Sequence, residues 1–205
     1  MYADADIALS ANAHQALLRV TARQAGPKRH AMPVGIIGPR KATAEQLEAA
    51  RVLGHVIGSS DMTLLCGGKS GVMAAAARGC SEVGGIAIGL LPEDDIRAAN
   101  DYLTVALPTG LGITRNALIA SASVCLVAVG GGLGTLSEIA LGLQRGKRVF
   151  TMLDAPQVQG AERFDDLDSL VVHLAEHLAT EGLERSTQAD SGMAGHAAVY
   201  LPIAL

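Results

Sequence analysis

Short apolar runs alternate along the chain with longer stretches whose apolar residues recur at helical spacing. Val34-Gly35-Ile36-Ile37-Gly38, bounded by Pro33 and Pro39, predicts a first buried strand. Met62–Leu65, Ile86–Leu90, Leu103–Leu107, Val124–Val129 and Arg148–Leu153 predict five more. Helices are expected between them. One follows Thr43, which has Gln46 three residues on, the spacing of a capping box. A second runs from Ser70 to Val83 and stops at Gly84-Gly85, a third spans Ile113–Ser121, and a fourth runs to about Arg145. Outside this block, Ser10–Gln24 and Leu167–Leu178 also carry helical spacing.

Strands alternating with helices through short connections imply a parallel sheet, because each right-handed crossover returns over one face. The expected architecture is therefore α/β: a doubly wound, mainly parallel, Rossmann-like sheet with helices on both faces, in a single domain. Residues 1–32 read as an N-terminal helix and a linker broken at Gly26-Pro27. Residues 33–180 read as the nucleotide-binding domain, and residues 181–205 as a polar, small-residue tail. In such sheets ligands bind beyond the carboxyl ends of the strands.

Composition narrows the picture. Hydrophobic residues make up 49% of the chain and charged residues 18%, the balance of a sheet covered on both faces. With no Trp, two Phe and three Tyr, a platform for stacking single-stranded nucleic acid has few members. The net charge of −4 comes with scattered basic residues, so no nucleic-acid partner is expected. Cys66, Cys80 and Cys125 sit in apolar runs without metal spacing and read as buried free thiols. Neither a signal peptide nor a membrane span is legible, and a cytoplasmic protein is expected.

Chemistry concentrates in three glycine turns. Gly130-Gly131-Gly132-Leu133-Gly134-Thr135 joins an apolar run to a helix. Glycines let the backbone approach a phosphate, the free amides of the first helical turn bind it, and Thr135 adds a hydroxyl. A dinucleotide fingerprint is not met, because Ser137 stands at the third small position, and no NAD is expected. Gly67-Gly68-Lys69-Ser70-Gly71 is a second turn, and Thr63 stands where a Walker loop needs glycine. The third, Thr109-Gly110-Leu111-Gly112, leads into Arg115 and Asn116, where arginine suits a phosphate or carboxylate. Lesser signals are Glu93-Asp94-Asp95, read as an exposed acidic loop, and His173 with His177, read as a solvated pair; no metal site is expected.

Together, Gly67-Gly68-Lys69-Ser70-Gly71-Val72-Met73, the Arg115 segment and Gly131-Gly132-Leu133-Gly134-Thr135-Leu136-Ser137-Glu138 resemble the "lysine decarboxylase-like" superfamily. That superfamily holds the Lonely Guy cytokinin-activating phosphoribohydrolases and the molybdenum cofactor carrier proteins. The resemblance covers roughly residues 33–153. It implies that Glu138 and Arg115 are the catalytic pair, and it implies a homodimer or larger assembly. Gly130, Ser137 and Asn116 stand where the phosphoribohydrolases usually carry Pro, Glu and Lys, and they resemble the carrier branch, which binds without cleaving.

The expected function is thus binding of a phosphorylated, nucleotide-like small molecule. The leading activity is cleavage of nucleoside 5′-monophosphates to base and ribose 5-phosphate, with no cofactor required. A carboxylate at the ribose stabilises the oxocarbenium-like transition state and orients water, the part expected of Glu138. Alternatives are a carrier whose ligand is the molybdenum cofactor and a nucleotide-sensing module that uses its N-terminal helix or its tail to engage a partner. The expected ligand contacts are Gly67, Gly68, Lys69, Ser70, Gly71, Asn116, Gly131, Gly132, Leu133, Gly134 and Thr135.

Overall fold

The structure is a computed structural model, and it describes residues 9–25 and 30–180. Among these residues seven strands form one sheet: β1 (Pro33–Ile37), β2 (Thr63–Cys66), β3 (Ile86–Leu91), β4 (Val105–Pro108), β5 (Cys125–Val129), β6 (Val149–Met152) and β7 (Glu162–Arg163). Their order is β4-β3-β2-β1-β5-β6-β7, and every pair is parallel. Six α-helices accompany them: α1 (Ala11–Gln24), α2 (Ala44–Ser59), α3 (Val72–Glu82), α4 (Asn116–Ala122), α5 (Leu133–Gln144) and α6 (Leu167–Thr180).

Alternation along the strands divides the interior in two. Val34, Ile36, Cys125, Val127 and Val129 point to one face and pack with α1, α2, α3 and α6. Ile37, Leu126 and Ala128 point to the other and pack with Ile119 of α4 and Ile139 of α5. Both faces are covered, so β1 and β5 read as continuous apolar runs. The three cysteines are buried and free, as the apolar runs around them predict.

Local chemistry sets the boundaries. Thr43 and Gln46 form a full reciprocal capping box at the start of α2. Beyond α3, Gly84 takes φ +72°, the left-handed stop that glycine supplies. Two expectations need correction. The predicted helix from Ile113 begins as a 3₁₀ turn at Gly112–Arg115 and becomes α-helical only at Asn116, so Arg115 lies at the junction. The seventh strand, β7, is absent from the sequence reading; its two polar residues carry no apolar alternation and are recruited by pairing with β6.

The chain runs outward from β1 to β4, then returns to place β5 on the other side of β1. Strand order therefore reverses between β1 and β5, and their carboxyl ends open a crevice, the place where doubly wound sheets bind ligands. The Gly26-Pro27 linker and the 181–205 tail lie outside the described residues. No helix among the described residues is long and apolar enough to cross a membrane.

Candidate functional site

Two loops straddle the switch point. Gly38-Pro39-Arg40 leaves β1 and Gly130-Gly131-Gly132 leaves β5, and between them lies a cleft of about 350 Å³. It is lined by both loops, by the start of α5, by Met73, Pro92 and Ile113, and by Arg115, Asn116 and Glu138. The volume suits a small ligand.

The glycine turn after β5 holds glycines of two kinds. Gly130 and Gly131 have φ +63° and +152°, a backbone path closed to most side chains, and a Cβ on Gly131 would overlap Thr135. Gly132 and Gly134 differ, since a Cβ on either would meet nothing within 4 Å. Gly134 also lies inside α5, where glycine costs up to about 1 kcal/mol relative to alanine. Packing therefore requires neither residue, and what they provide is open space against the cleft. No side chain caps α5. The first-turn amides, at the positive end of the helix, are free for an anion.

At the buried base lie Arg115 and Glu138, each 6% exposed. Arg115 Nη1 donates to Asn116 Oδ1 at 2.7 Å and to Glu138 Oε1 at 3.3 Å, while Nη2 donates to the Gly67 carbonyl at 3.2 Å. Its Nε is buried without a partner. Asn116 Nδ2 donates to Ser137 Oγ at 2.9 Å, and Ser137 Oγ donates to the Gly134 carbonyl at 2.7 Å. This network locks the head of α4 to the first turn of α5. Burial raises the Glu138 carboxyl to about 7, against the opposing pull of the Arg115 charge and hydrogen bond. Burial also lowers Arg115, but from a starting value so high that it stays a cation.

The structure thus gathers Arg115, Asn116, Gly132, Gly134, Thr135 and Glu138 around one cleft. The Gly67–Gly71 turn stands behind this wall. Gly67 holds Arg115 through its carbonyl, and the Gly68 amide donates to Cys66 Sγ at 3.4 Å. Lys69 Nζ donates to the Ala98 carbonyl at 2.7 Å and pairs with Glu93 at 3.0 Å, while Ser70 Oγ donates to the Arg40 carbonyl at 3.4 Å. Gly71 (φ +71°) begins α3, and a Cβ there would overlap the carbonyl oxygens of Pro39 and Arg40. The two turns do share an edge of the sheet, but the second shapes the first loop and the floor.

The lining residues Pro39, Arg40, Pro92 and Ile113 are not among the expected ligand contacts. The first pair was within reach, because a reversal of strand order beside β1 brings the β1 loop to any ligand site. Glu93 is held below the usual carboxylate range by Lys69, Asp95 pairs with Arg97, and no group of three metal donors occurs among the described residues. His173 is exposed, with its ring centroid 5.0 Å from that of Phe164, whereas His177 is buried 6.1 Å from Phe150, so the expected solvated pair is only half solvated.

Fold and site together define an α/β protein with a polar cleft at the switch point of its sheet. Residues 31–180 match the model of the SLOG cluster4 family, and the chain belongs to that family. An uncharacterized protein of Archaeoglobus fulgidus is 35% identical over 141 residues, 68% of this chain and 92% of that one. Among solved structures, the molybdenum cofactor binding protein from the phototrophic bacterium Rippkaea orientalis is 30% identical with a TM-score of 0.60, covering 80% of this chain and 99% of that one. The Moco carrier protein from Chlamydomonas reinhardtii is 32% identical with a TM-score of 0.66, covering 74% of this chain and 99% of that one. Both likenesses agree with the family resemblance that the three motifs carry.

Proposed function

We propose that the cleft binds a phosphorylated, nucleotide-like small molecule and that the protein hydrolyses nucleoside 5′-monophosphates. The carrying observation is the Arg115–Glu138 pair at the base of a cleft whose wall includes the open glycines Gly132 and Gly134. The phosphate rests on the α5 amides and the Thr135 hydroxyl. Leu133 contributes its amide, and Asn116 keeps the turn in register through Ser137. Gly67 supports Arg115, while Gly68, Lys69, Ser70 and Gly71 support the loop on the opposite wall.

In the reaction, water adds to the anomeric carbon as the bond from that carbon to the base nitrogen breaks. The bonding electrons leave with the base, which gains a proton, and ribose 5-phosphate is released. The Glu138 carboxylate accepts the proton of the attacking water and offsets positive charge developing on the ribose. A base with a pKa near 7 is matched to that role at neutral pH. Arg115 anchors Glu138 and polarises the ligand's anionic or leaving end. No cofactor takes part.

A second reading, in which the protein carries the molybdenum cofactor without cleaving it, is favoured by its likeness to a cofactor-binding protein and a carrier over nearly their whole length. The Asn116–Ser137 hydrogen bond also favours it, because these residues replace the Lys and Glu usual in the hydrolases. The readings part in one experiment. Purified protein is incubated with AMP and other nucleoside monophosphates, and free base is scored by chromatography. Base release that falls at least a hundredfold in Glu138→Ala supports the hydrolase. Tight pterin or nucleotide binding with no release supports the carrier.

A further inference from the structure

The turn Gly67–Gly71 and the loop Pro39–Arg40 form one device, and its product is the placement of a cation that the catalytic scheme leaves unused. Arg40 follows the strand at the switch point, lines the cleft and is exposed. Among the described residues its guanidinium has no hydrogen bond and no ion pair; the nearby carboxylates Glu93 and Glu138 are engaged by Lys69 and Arg115. Its side chain is therefore available, whereas its backbone is fixed. The Val72 amide donates to the Pro39 carbonyl at 3.1 Å, Ser70 Oγ donates to the Arg40 carbonyl, and Gly71 leaves no room for the loop to shift toward α3. Pro39 adds its own restriction on the backbone.

An unpaired arginine on a fixed backbone, lining the same cleft as an uncapped helix N-terminus, makes a two-sided anion site. A buried polar group also points to a ligand there, since Arg115 Nε at the base of the same cleft has no partner. Two guanidinium groups against one carboxylate, itself held up near neutral pH, leave the cleft cationic in a chain of net charge −4. Such excess suits a group with more than one negative charge. A bidentate guanidinium fork fits the terminal oxygens of a phosphomonoester better than the single charge of a diester.

We propose that Arg40 is a ligand-binding residue that closes on the terminal phosphate from the β1 side, opposite the α5 amides, and makes the cleft selective for phosphomonoesters. The proposal rests on the phosphorylated ligand inferred above, and it requires no turnover.

The test is calorimetric binding of inorganic phosphate, AMP and adenosine to the full chain and to Arg40→Gln, with Lys41→Gln as a control for general charge. Arg40 and Lys41 are both exposed, so neither change threatens folding. Loss of one charge-assisted contact weakens phosphate and AMP roughly tenfold or more in Arg40→Gln and leaves adenosine unchanged. Lys41→Gln binds as the parent does. Equal phosphate and AMP affinities in Arg40→Gln and the parent overturn the assignment, as does an equal loss of adenosine or the same loss in Lys41→Gln. If the parent binds phosphate and AMP with this arginine dependence yet releases no base, the hydrolase reading falls and the Arg40 assignment stands.

Discussion

At Glu138, burial moves a carboxyl group from its ordinary value of 4.5 to about 7, and the direction of that move fixes two observable signs. The folded protein holds a proton on Glu138 that the unfolded chain has already released above pH 4.5. The stabilisation is therefore complete below 4.5 and is lost as pH rises through 7. Measured by denaturant unfolding, wild-type stability minus that of Glu138→Gln falls by on the order of 3 kcal/mol between pH 4.5 and 8. A difference that stays flat with pH contradicts the burial argument. The proposed hydrolysis runs the other way. A base must be ionised, so kcat for base release rises with pH through a midpoint near 7 in the wild type, and the residual rate of Glu138→Gln lacks that limb. Cys66 behaves as the sequence implies, its thiol pushed up to about 11 by burial, and it supplies no nucleophile at neutral pH.

At the scale of elements, the glycines of the β5–α5 turn offer a test that separates the proposed anion site from a requirement of the fold. Gly134 is helical, has a negative φ and faces empty space, so Gly134→Ala relieves a helix penalty without a clash. Stability rises by up to about 1 kcal/mol, seen as a higher melting temperature, while affinity for inorganic phosphate falls because the added methyl group occupies the approach to the amides. A mutant that gains stability and keeps its affinity would show that the anion binds elsewhere. The same turn shows what could be read from sequence. Gly130–Gly134 between an apolar run and a helix identified the α5 terminus, and apolar runs placed the six longer strands to within a residue or two. By contrast, β7 has two polar residues whose strand character comes only from β6. The 3₁₀ turn before Asn116 arises where Gly110 and Gly112 adopt left-handed φ values that spacing does not reveal. The roles of Lys69 and Ser70 were illegible for another reason. Their partners, Ala98, Glu93 and the Arg40 carbonyl, are brought near only by the crossover to β3 and by the return to β1.

For the whole molecule, the question is whether α1 takes part in function. It lies outside the matched family region and contributes no residue to the cleft. Its apolar face is occupied, since Ala13, Ala16 and Val20 are buried in the cluster that includes Leu170, Leu174 and Leu178 of α6. Polar contacts pin both ends: the Ser10 amide donates to Asp168 Oδ1 at 2.7 Å, and Arg23 Nη1 donates to the Leu178 carbonyl at 2.7 Å. A sensing module that engaged a partner through α1 would have to strip this face from α6 or use the polar side, where Leu18 is 67% exposed. Packing favours a stabilising strap. Deleting residues 1–25 uncovers the apolar side of α6 and lowers stability by on the order of 3 kcal/mol, with a matching drop in melting temperature. Phosphate affinity and AMP turnover, assayed below that temperature, stay within twofold of the full chain, because the switch point and both of its loops are held by β1, β5, their flanking helices and the turn that leads into α3, none of which α1 supplies. A tenfold change in either would mean that α1 is coupled to the cleft through α6 and β6, and the sensing reading would regain its ground.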